Sequence, residues 1–301
     1  MFSNVTLDTT QTCEKLLFDP SKTYLLMVAQ AFKLSSLSLD ETTASVYSIV
    51  VPSVIWETAI YQDAFLCCEL KPHNTLLFCQ KEKDAPTHIL EKSKSIMLFV
   101  DWLDSKIYRY LDKLFSLTSE DVTIMGMGCG RVEGFEQPIL ARNGNELKNG
   151  FLMLLSQNPL HIGTGHGSKY HDGYFIAHTE NSNKIMSING EKAFDFYATI
   201  LQKQFNETLT EHNVFELGLK YPFGVGSTHQ EYPLRVPVSV ENGALIVAGP
   251  MEKECTLCLM KSSDHHLFKA SLHAAQEAID DAKNLEEKDC FLIDAWDDKT
   301  F

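Results

Sequence analysis

The stretch SIMLFVDWLDSKIYRYLDKLFSLTSEDVTIMGM, residues 95–127, decides the fold. It opens with an unbroken apolar run at 95–100, which is typical of a buried strand. Residues 104–116 then repeat Ile107, Leu111 and Leu114 at helical spacing, with charged residues between them. A second apolar run follows at 122–127. Strand, helix and strand in this order predict two parallel neighbours joined by a right-handed crossover.

Further strands are predicted on both sides of this unit. Towards the N-terminus, 24–31 and 46–54 are apolar runs. Two more runs, at 64–70 and 75–80, flank Lys71-Pro72-His73-Asn74, and this arrangement is typical of a hairpin. Towards the C-terminus, short runs separated by Gly, Asn and Pro favour antiparallel pairing, and they lie at 138–142, 151–156, 161–165 and 174–178.

The last third of the chain is predicted to contain two helices. Asn189-Gly190 precedes a helical stripe in residues 191–205, and a second helix is predicted at 267–284 with Asp264 as its cap. The apolar side chains expected on one face of the second helix are Phe268, Leu272, Ala275 and Ile279. The strands expected between the helices lie at 244–248 and 255–260.

The order of these elements predicts an α/β to α+β fold. We expect a two-part protein with mixed β-sheets flanked by helices, containing a parallel strand–helix–strand unit at 95–127. The polar residues 206–220 are the expected crossing between the two parts.

Composition and charge narrow the function classes. The 301 residues carry a formal net charge of −14, which opposes binding to nucleic-acid phosphates or to an anionic membrane surface. The N-terminus lacks the pattern of a secretory signal, and no apolar run approaches the roughly 20 residues that span a bilayer. We therefore expect a cytoplasmic protein with reduced cysteines, and we expect the Cys255–Cys258 pair to pack in the core rather than bind metal.

Several motifs, in order, resemble the FIST family, the paired N- and C-terminal FIST domains of bacterial and archaeal signal-transduction proteins. The motifs that carry this resemblance are SIMLFVD, VTIMGMGCGR, HIGTGHGSKY, NKIMSINGEKAFDFY, YPFGV with LRVP, GALIVAGPMEKECTLCLM and FKASLHAAQEAID. Together they span roughly residues 20–294. Family members usually continue past the Ala-rich helix to a further strand and a Cys/Arg-type motif, whereas this chain ends in CFLIDAWDDKTF.

The resemblance implies a domain plan and a function. It predicts a polar N-terminal segment at 1–20, a FIST N-terminal-like domain at 21–205 and a shortened FIST C-terminal-like domain at 206–301. It implies a non-enzymatic sensor module that binds a small polar, amino-acid-like metabolite and acts through a separate signalling partner. If the shortened domain leaves an apolar face uncovered, we expect a homodimer or a partner to cover it, with Trp296 and Phe301 contributing.

Candidate ligand-binding residues lie in four places. Asp101 ends a predicted central strand, where open α/β sheets bind ligands, although it could instead cap the following helix. The loop at 126–131 supplies Gly126, Gly128, Cys129 and Gly130, as a ligand-facing loop or as a packed turn. Gly165 and His166 lie in a second Gly-rich turn, which could present backbone N–H groups and the imidazole to a ligand or could be a tight turn with a solvated histidine. Arg235, in an apolar setting, could bind a carboxylate of the ligand or pair with one of the protein's own acids.

Two other functions remain open at this point. Some FIST-type proteins are haem-based nitric-oxide sensors. The hypothesis that this chain binds haem requires His161, His166 or His171 to face an apolar cavity. The cofactor itself is unknown from the residues. A cysteine-dependent hydrolase would use Cys129, but no base is visible next to it in the sequence.

Overall fold

In the computed structural model the described residues form two compact units, one within Met1–Leu160 and one within His161–Asp289. The structure describes residues 1–9, 18–32, 39, 42–57, 59–79, 87–101, 107–130, 139–148, 150–181, 183–226 and 232–282. Cys290–Ile293, Trp296 and Phe301, which featured in the predictions, lie outside these residues. Each unit is described by itself below.

The first unit contains twelve described strands and two helices. The strands are β1 (Phe2–Asp8), β2 (Thr23–Ala29), β3 (Ser45–Val51), β4 (Val54–Trp56), β5 (Ala59–Tyr61), β6 (Phe65–Leu70), β7 (Asn74–Cys79), β8 (Ser95–Asp101), β9 (Thr123–Cys129), β10 (Leu140–Arg142), β11 (Asn145–Glu146) and β12 (Phe151–Ser156). The helices are α1 (Thr87–Leu90) and α2 (Ile107–Leu117).

Most of these strands form two sheets that repeat one arrangement. The first sheet has the order β1-β6-β2-β3-β10-β11, and the second has β7-β12-β8-β9. In the first, β2 is antiparallel to β6 and parallel to β3. In the second, β8 is antiparallel to β12 and parallel to β9. The triplets β6-β2-β3 and β12-β8-β9 therefore share the same order and directions.

The two sheets share one core and cover their outer faces separately. Alternate residues of both sheets, such as Leu25 and Ile49 from the first and Phe99 and Leu152 from the second, form one buried cluster. The remaining side chains of the first sheet form a second cluster, and those of the second sheet pack with Leu114 of α2 in a third. Strands buried on both faces explain why the sequence shows continuous apolar runs instead of alternation.

The predicted fold class and the strand–helix–strand unit are confirmed. The protein is a mixed α/β structure with parallel and antiparallel strand pairs. β8, α2 and β9 occupy residues 95–129, and β8 and β9 are parallel neighbours from Ser95↔Thr123 to Asp101↔Cys129.

The predicted hairpin at 64–80 is wrong. β6 pairs with β1 and β2 in the first sheet, whereas β7 pairs with β12 in the second. The turn between β6 and β7 carries the chain from one sheet to the other. The first residue of the chain holds this turn, since Lys71 N and Asn74 Nδ2 both donate to Met1 O. A turn signal reports a change of direction but does not report which strands pair afterwards.

In its described residues the second unit contains eight strands and three helices. The strands are β13 (Lys169–Glu180), β14 (Lys184–Ile188), β15 (Glu191–Lys192), β16 (Phe223–Val225), β17 (Leu234–Arg235), β18 (Pro237–Glu241), β19 (Ala244–Val247) and β20 (Glu254–Lys261). The helices are α3 (Ala193–Phe205), α4 (Val214–Lys220) and α5 (Asp264–Asp281).

The sheet of the second unit closes on itself. Its order is β17-β16-β20-β13-β14-β19-β18, with β15 paired to β14. β17 and β18, at opposite ends of that order, are separated in the chain by Val236 alone. This continuous segment pairs with β16 through Arg235 and with β19 through Pro237, so it joins both ends of the sheet into a ring.

One face of the ring packs around α3 and α4. Tyr197 of α3 is fully buried there, and its hydroxyl donates to the carbonyl of Tyr221 at 2.8 Å. α4 occupies part of the segment 206–220 that was expected to be a crossing. The predicted domain boundary at 205/206 falls inside this second unit, between α3 and α4, and the FIST domain assignment stays a prediction.

The last described helix differs from its prediction in two ways. It begins at Asp264, three residues before the predicted start at 267, and Ser263 occupies the N-cap position instead of Asp264. None of its residues is buried, including the apolar side chains expected on one face. Among the described residues, no helix is both long and apolar enough to cross a membrane.

Candidate functional site

Asp101 is the one charged residue among the four residues that end the two parallel strand pairs of the first unit. The two parallel pairs of the first unit end at Ala29 and Val51 and at Asp101 and Cys129. Ala29, Val51 and Cys129 are buried in the shared core, whereas Asp101 is half-buried. A carboxylate at a position where the matching strand carries Ala makes Asp101 the strongest ligand candidate in this unit.

Cys129 lies beside Asp101 but lacks the character of a nucleophile. Its side chain is fully buried. Burial raises the pKa of the Cys129 thiol well above its usual range, and the negative charge of Asp101 raises it further. Since the thiolate is the reactive form, this geometry favours a packing role and gives no support to a cysteine-dependent hydrolase.

One glycine of the predicted loop has a packing explanation. Gly126 lies in β9 next to Leu98 of β8, and a Cβ atom there would lie 2.9 Å from the Leu98 Cβ. The N–H of Gly130 donates to Val50 O at 2.9 Å. Gly128 lies in β9 between them and is exposed. Arg131 lies outside the described residues, and the ligand-binding role of this loop stays a prediction.

The second predicted Gly-rich turn lies in a segment without regular secondary structure that packs along α5, and at Gly167 it makes a tight turn in which Ser168 N donates to His166 O. We call residues 161–168, HIGTGHGS, the glycine segment. A Cβ atom at Gly163 would overlap the carbonyl of Ala274, and one at Gly165 would lie 3.2 Å from the Ala270 oxygen. A Cβ at Gly167 would lie 2.7 Å from the His266 oxygen.

The spacing of these glycines matches the helix. Two residues of extended chain advance about 6.6 Å, and four residues of helix advance about 6 Å. Every second residue of the segment therefore meets the next turn of α5, running in the opposite direction. Gly163, Gly165 and Gly167 let the two backbones approach, so the motif has a structural explanation that does not require a ligand.

The three histidines considered for haem have polar or aromatic neighbours. His161 Nδ1 lies 2.7 Å from Asp281 Oδ2, near the end of α5. His166 Nδ1 accepts a hydrogen bond from Ser168 N, near the start of α5. The ring of His171 lies 4.7 Å from that of Phe205. The haem hypothesis needs one of these histidines to face an apolar cavity, and these contacts give it no support, so we derive no role for haem. Among the described residues, no group of three or more His, Cys, Asp or Glu could hold a metal ion.

Arg235 contacts backbone carbonyls. Its Nε donates to Pro250 O at 2.6 Å, and its Nη1 donates to Leu234 O at 2.8 Å. Arg235 of β17 is the cross-strand partner of Phe223 of β16, and cross-strand partners share a face of the sheet. Because Phe223 is buried against α3, the side chain of Arg235 also lies on the face that packs around α3. These contacts fix the turn before β20, and a ligand-binding role for Arg235 stays a prediction.

The other face of the ring carries an exposed group of aromatic side chains that the sequence analysis did not identify. We call Tyr170, Tyr174 and Tyr232 the tyrosine patch. The ring centroid of Tyr170 lies 5.8 Å from that of Tyr174 and 6.4 Å from that of Tyr232. The hydroxyl oxygens of Tyr174 and Tyr232 are 3.2 Å apart. Tyr174 is 63% exposed and Tyr170 is 47% exposed, so the rings present both apolar faces and polar tips to solvent.

Two irregularities in the pairing of β13 place Tyr170 and Tyr174 on this face, whereas Asp172, midway between them in the sequence, lies on the other face. The pairing with β20 shifts between Tyr170 and Asp172 and again between Asp172 and Phe175, and Gly173 has a positive φ of 73°. A β-bulge adds one residue to a strand, so the side chains that follow it point to the opposite face. Asp172 consequently points to the other face, where it accepts a hydrogen bond from Gln204 of α3.

The strand beneath Tyr232 is shaped to hold it. A Cβ atom at Gly224 of β16 would lie 2.9 Å from both the Tyr232 Cβ and the Cys258 Sγ. The absence of a side chain at Gly224 therefore lets Tyr232 lie against the sheet. Cys255 lies on the opposite face of β20 from Cys258, because Cys255 packs against the core around α3.

The hydroxyl pair has a clear electrostatic consequence. The hydrogen bond to Tyr174 raises the pKa of Tyr232 to about 12, with a smaller contribution from desolvation. Desolvation raises the pKa of Tyr170 as well. The patch is therefore neutral near pH 7, and it offers hydroxyl donors and acceptors beside aromatic surface.

The sequence held one signal for this patch. Tyr170 and Tyr174 flank HDG in YHDGY, and an isolated Gly in a strand pattern is typical of a bulge. Nothing local connects them to Tyr232, which is brought alongside by pairing between β13, β20 and β16.

No protein-family model matches the chain, and a search of curated proteins gave no significant match. The resemblance to the FIST family therefore rests on the order and spacing of its motifs.

Proposed function

We propose that this protein is a FIST-type sensor module that binds a small ligand at the tyrosine patch and acts through a separate signalling partner. The observation that carries the proposal is the exposed grouping of Tyr170, Tyr174 and Tyr232 around a shared hydroxyl pair. Soluble proteins seldom expose clustered aromatic side chains without a use for them.

The chemistry of the patch indicates the class of ligand. Tyrosine rings bind flat or aliphatic groups by stacking and dispersion, and their hydroxyls bind polar groups at the edge. A neutral site does not select strongly for either charge. These properties fit a small metabolite with an apolar body and one or two hydrogen-bonding groups, such as an aromatic amino acid or a nucleoside.

The test has two stages. Native mass spectrometry of the protein as purified would detect a retained small molecule and give its mass. Saturation-transfer NMR with the common amino acids and nucleosides would then be run on the wild type and on Tyr170→Ala and Tyr174→Phe. We expect a bound compound whose signal is lost with Tyr170→Ala and weakened with Tyr174→Phe.

Tyr61→Phe in β5 of the first unit is the matched control, because it removes a tyrosine hydroxyl elsewhere. Binding that survives Tyr170→Ala, or the absence of any retained or added compound on the wild type, would count against the proposal. A Soret band in the purified protein would instead support the haem hypothesis.

A further inference from the structure

α5 has two faces, and its own unit covers one of them. The glycine segment packs on Ala270 and Ala274, Thr164 N donates to Glu277 Oε2 at 3.3 Å, and His161 pairs with Asp281. These contacts run along one side of the helix from its first turn to its last. They fix the rotation of the helix about its axis, and therefore fix which residues point away.

The residues on the far side are large and apolar. Phe268 is 59% exposed, Leu272 is 55% exposed and Ile279 is 44% exposed. At 100° per residue, these three and Ala275 fall within an arc of about 60°, nearly opposite Ala270 and Ala274. We call Phe268, Leu272, Ala275 and Ile279 the α5 stripe. An apolar row of this kind on a charged chain is typical of an interaction surface.

The spacing of the α5 stripe is symmetric. Its intervals are four, three and four residues, so the row reads the same in both directions along the helix. If a second identical helix lies antiparallel across it, Phe268 faces Ile279 of the second copy and Leu272 faces Ala275 of the second copy. Each large side chain then meets a smaller or branched one, as knobs-into-holes packing requires.

The charges beside the stripe fit the same arrangement. Lys269 and Asp280 are both exposed and lie on the same flank of the stripe. In an antiparallel pair, equal flanks face each other, and the two-fold axis between Leu272 and Ala275 places Lys269 about 3 Å along the helix axis from Asp280 of the second copy. A lysine side chain is long enough to span that offset, so the dimer brings together two symmetry-related Lys269–Asp280 charge pairs, which favours a second copy of this chain over an unrelated partner.

We propose that α5 is a homodimerisation helix, pairing antiparallel with α5 of a second copy about a two-fold axis between Leu272 and Ala275. The proposal is independent of the ligand proposed above. A single pair of 18-residue helices buries less than the roughly 1,200 Å² of a standard stable complex. We therefore expect a weak, concentration-dependent dimer with a dissociation constant above about 1 μM.

The test is sedimentation velocity of the full chain over a wide range of concentrations. We expect the wild type to shift from monomer to dimer as its concentration rises. Leu272→Glu should raise the dissociation constant at least about tenfold, since one substitution places a charge in the interface twice. Ile60→Glu in β5 is the matched control, because Ile60 is also an exposed apolar residue but lies in the first unit.

A charge exchange tests the antiparallel geometry. Lys269→Glu should weaken the dimer, and the double variant Lys269→Glu with Asp280→Lys should restore it. A wild type that stays monomeric at all concentrations would overturn the proposal, as would a dimer that persists in Leu272→Glu. If Leu272→Glu instead lowers the melting temperature of a monomeric protein, part of the chain itself covers the stripe, and the proposal is again wrong.

Discussion

The hydroxyls of Tyr174 and Tyr232 lie 3.2 Å apart on the exposed face of the ring, although 58 residues separate them in the chain. This hydrogen bond joins β13 to the segment before β17. It is also the largest influence on the ionisation of Tyr232.

The first prediction concerns that ionisation. Tyr174→Phe should lower the pKa of Tyr232 from about 12 towards the ordinary value of about 10, because the hydrogen bond that favours the neutral phenol is lost. In the wild type, the raised pKa stabilises the folded protein below pH about 10, and this contribution is lost as the pH rises through about 12. Ultraviolet titration of tyrosinate formation would measure the shift.

Tyr61→Phe provides the comparison for this titration. It should remove one tyrosine from the curve without moving the transition at about pH 12 that is assigned to Tyr232. If Tyr174→Phe leaves that transition in place, the two hydroxyls are not hydrogen-bonded in solution.

The second prediction ranks two glycines of the glycine segment. Gly163→Ala should destabilise the second unit by about 1–3 kcal/mol, because a Cβ atom would overlap the carbonyl of Ala274. Gly165→Ala should cost less, since its Cβ would lie 3.2 Å from the Ala270 oxygen and needs only a small adjustment. Urea unfolding of both variants would measure the order. Equal or reversed effects would mean that α5 does not lie against this segment as described.

The sequence indicated the fold more fully than the site. Continuous apolar runs predicted strands of the first unit such as β2, β3 and β8, since strands buried on both faces leave a clear pattern. β1 lies in the segment 1–20, which was expected to be only polar. The helix at 267–284 was also predicted, but periodicity shows only that Phe268 and Leu272 share a face. It does not show whether that face is covered, which depends on what packs against Ala270 and Ala274.

The site was harder to predict because its residues meet through pairing between distant strands. Asp101 and Cys129 could be placed together, since parallel strands end at the same edge of a sheet. Gly165 was interpreted as a ligand turn because glycine-rich segments look alike whether they bind a ligand or a helix. Tyr232 had no local signal at all.

The third prediction concerns Arg235. Arg235→Lys should lower the free energy of unfolding by about 1–3 kcal/mol, because lysine cannot donate to Pro250 O and Leu234 O from the same position. Denaturant unfolding would measure this change, with Lys253→Arg as a control at a nearby basic residue. Unchanged stability combined with lost binding of a retained ligand would instead support the ligand-binding role.

The fourth prediction concerns thiol reactivity. In the folded protein, iodoacetamide should leave Cys129 unmodified, because the thiol is fully buried and its pKa is raised. Cys255, the one half-buried thiol among the described cysteines, should react faster. Peptide mapping by mass spectrometry would give the rate at each site, and adding urea should make the rates similar. Rapid labelling of Cys129 in native protein would revive the hydrolase hypothesis.

The closed ring of the second unit determines how other chains can approach it. Open sheet edges are the places where proteins recruit foreign strands, either in regulated strand addition or in aggregation. The segment that carries β17 and β18 uses up both ends of the sheet, and α4 lies beside β18, where Gly218 approaches Pro237. The first unit still presents edge strands such as β7 and β9. A partner that binds by extending a sheet would therefore find edge strands among the described strands of the first unit, whereas both ends of the main strand order in the second unit are already paired.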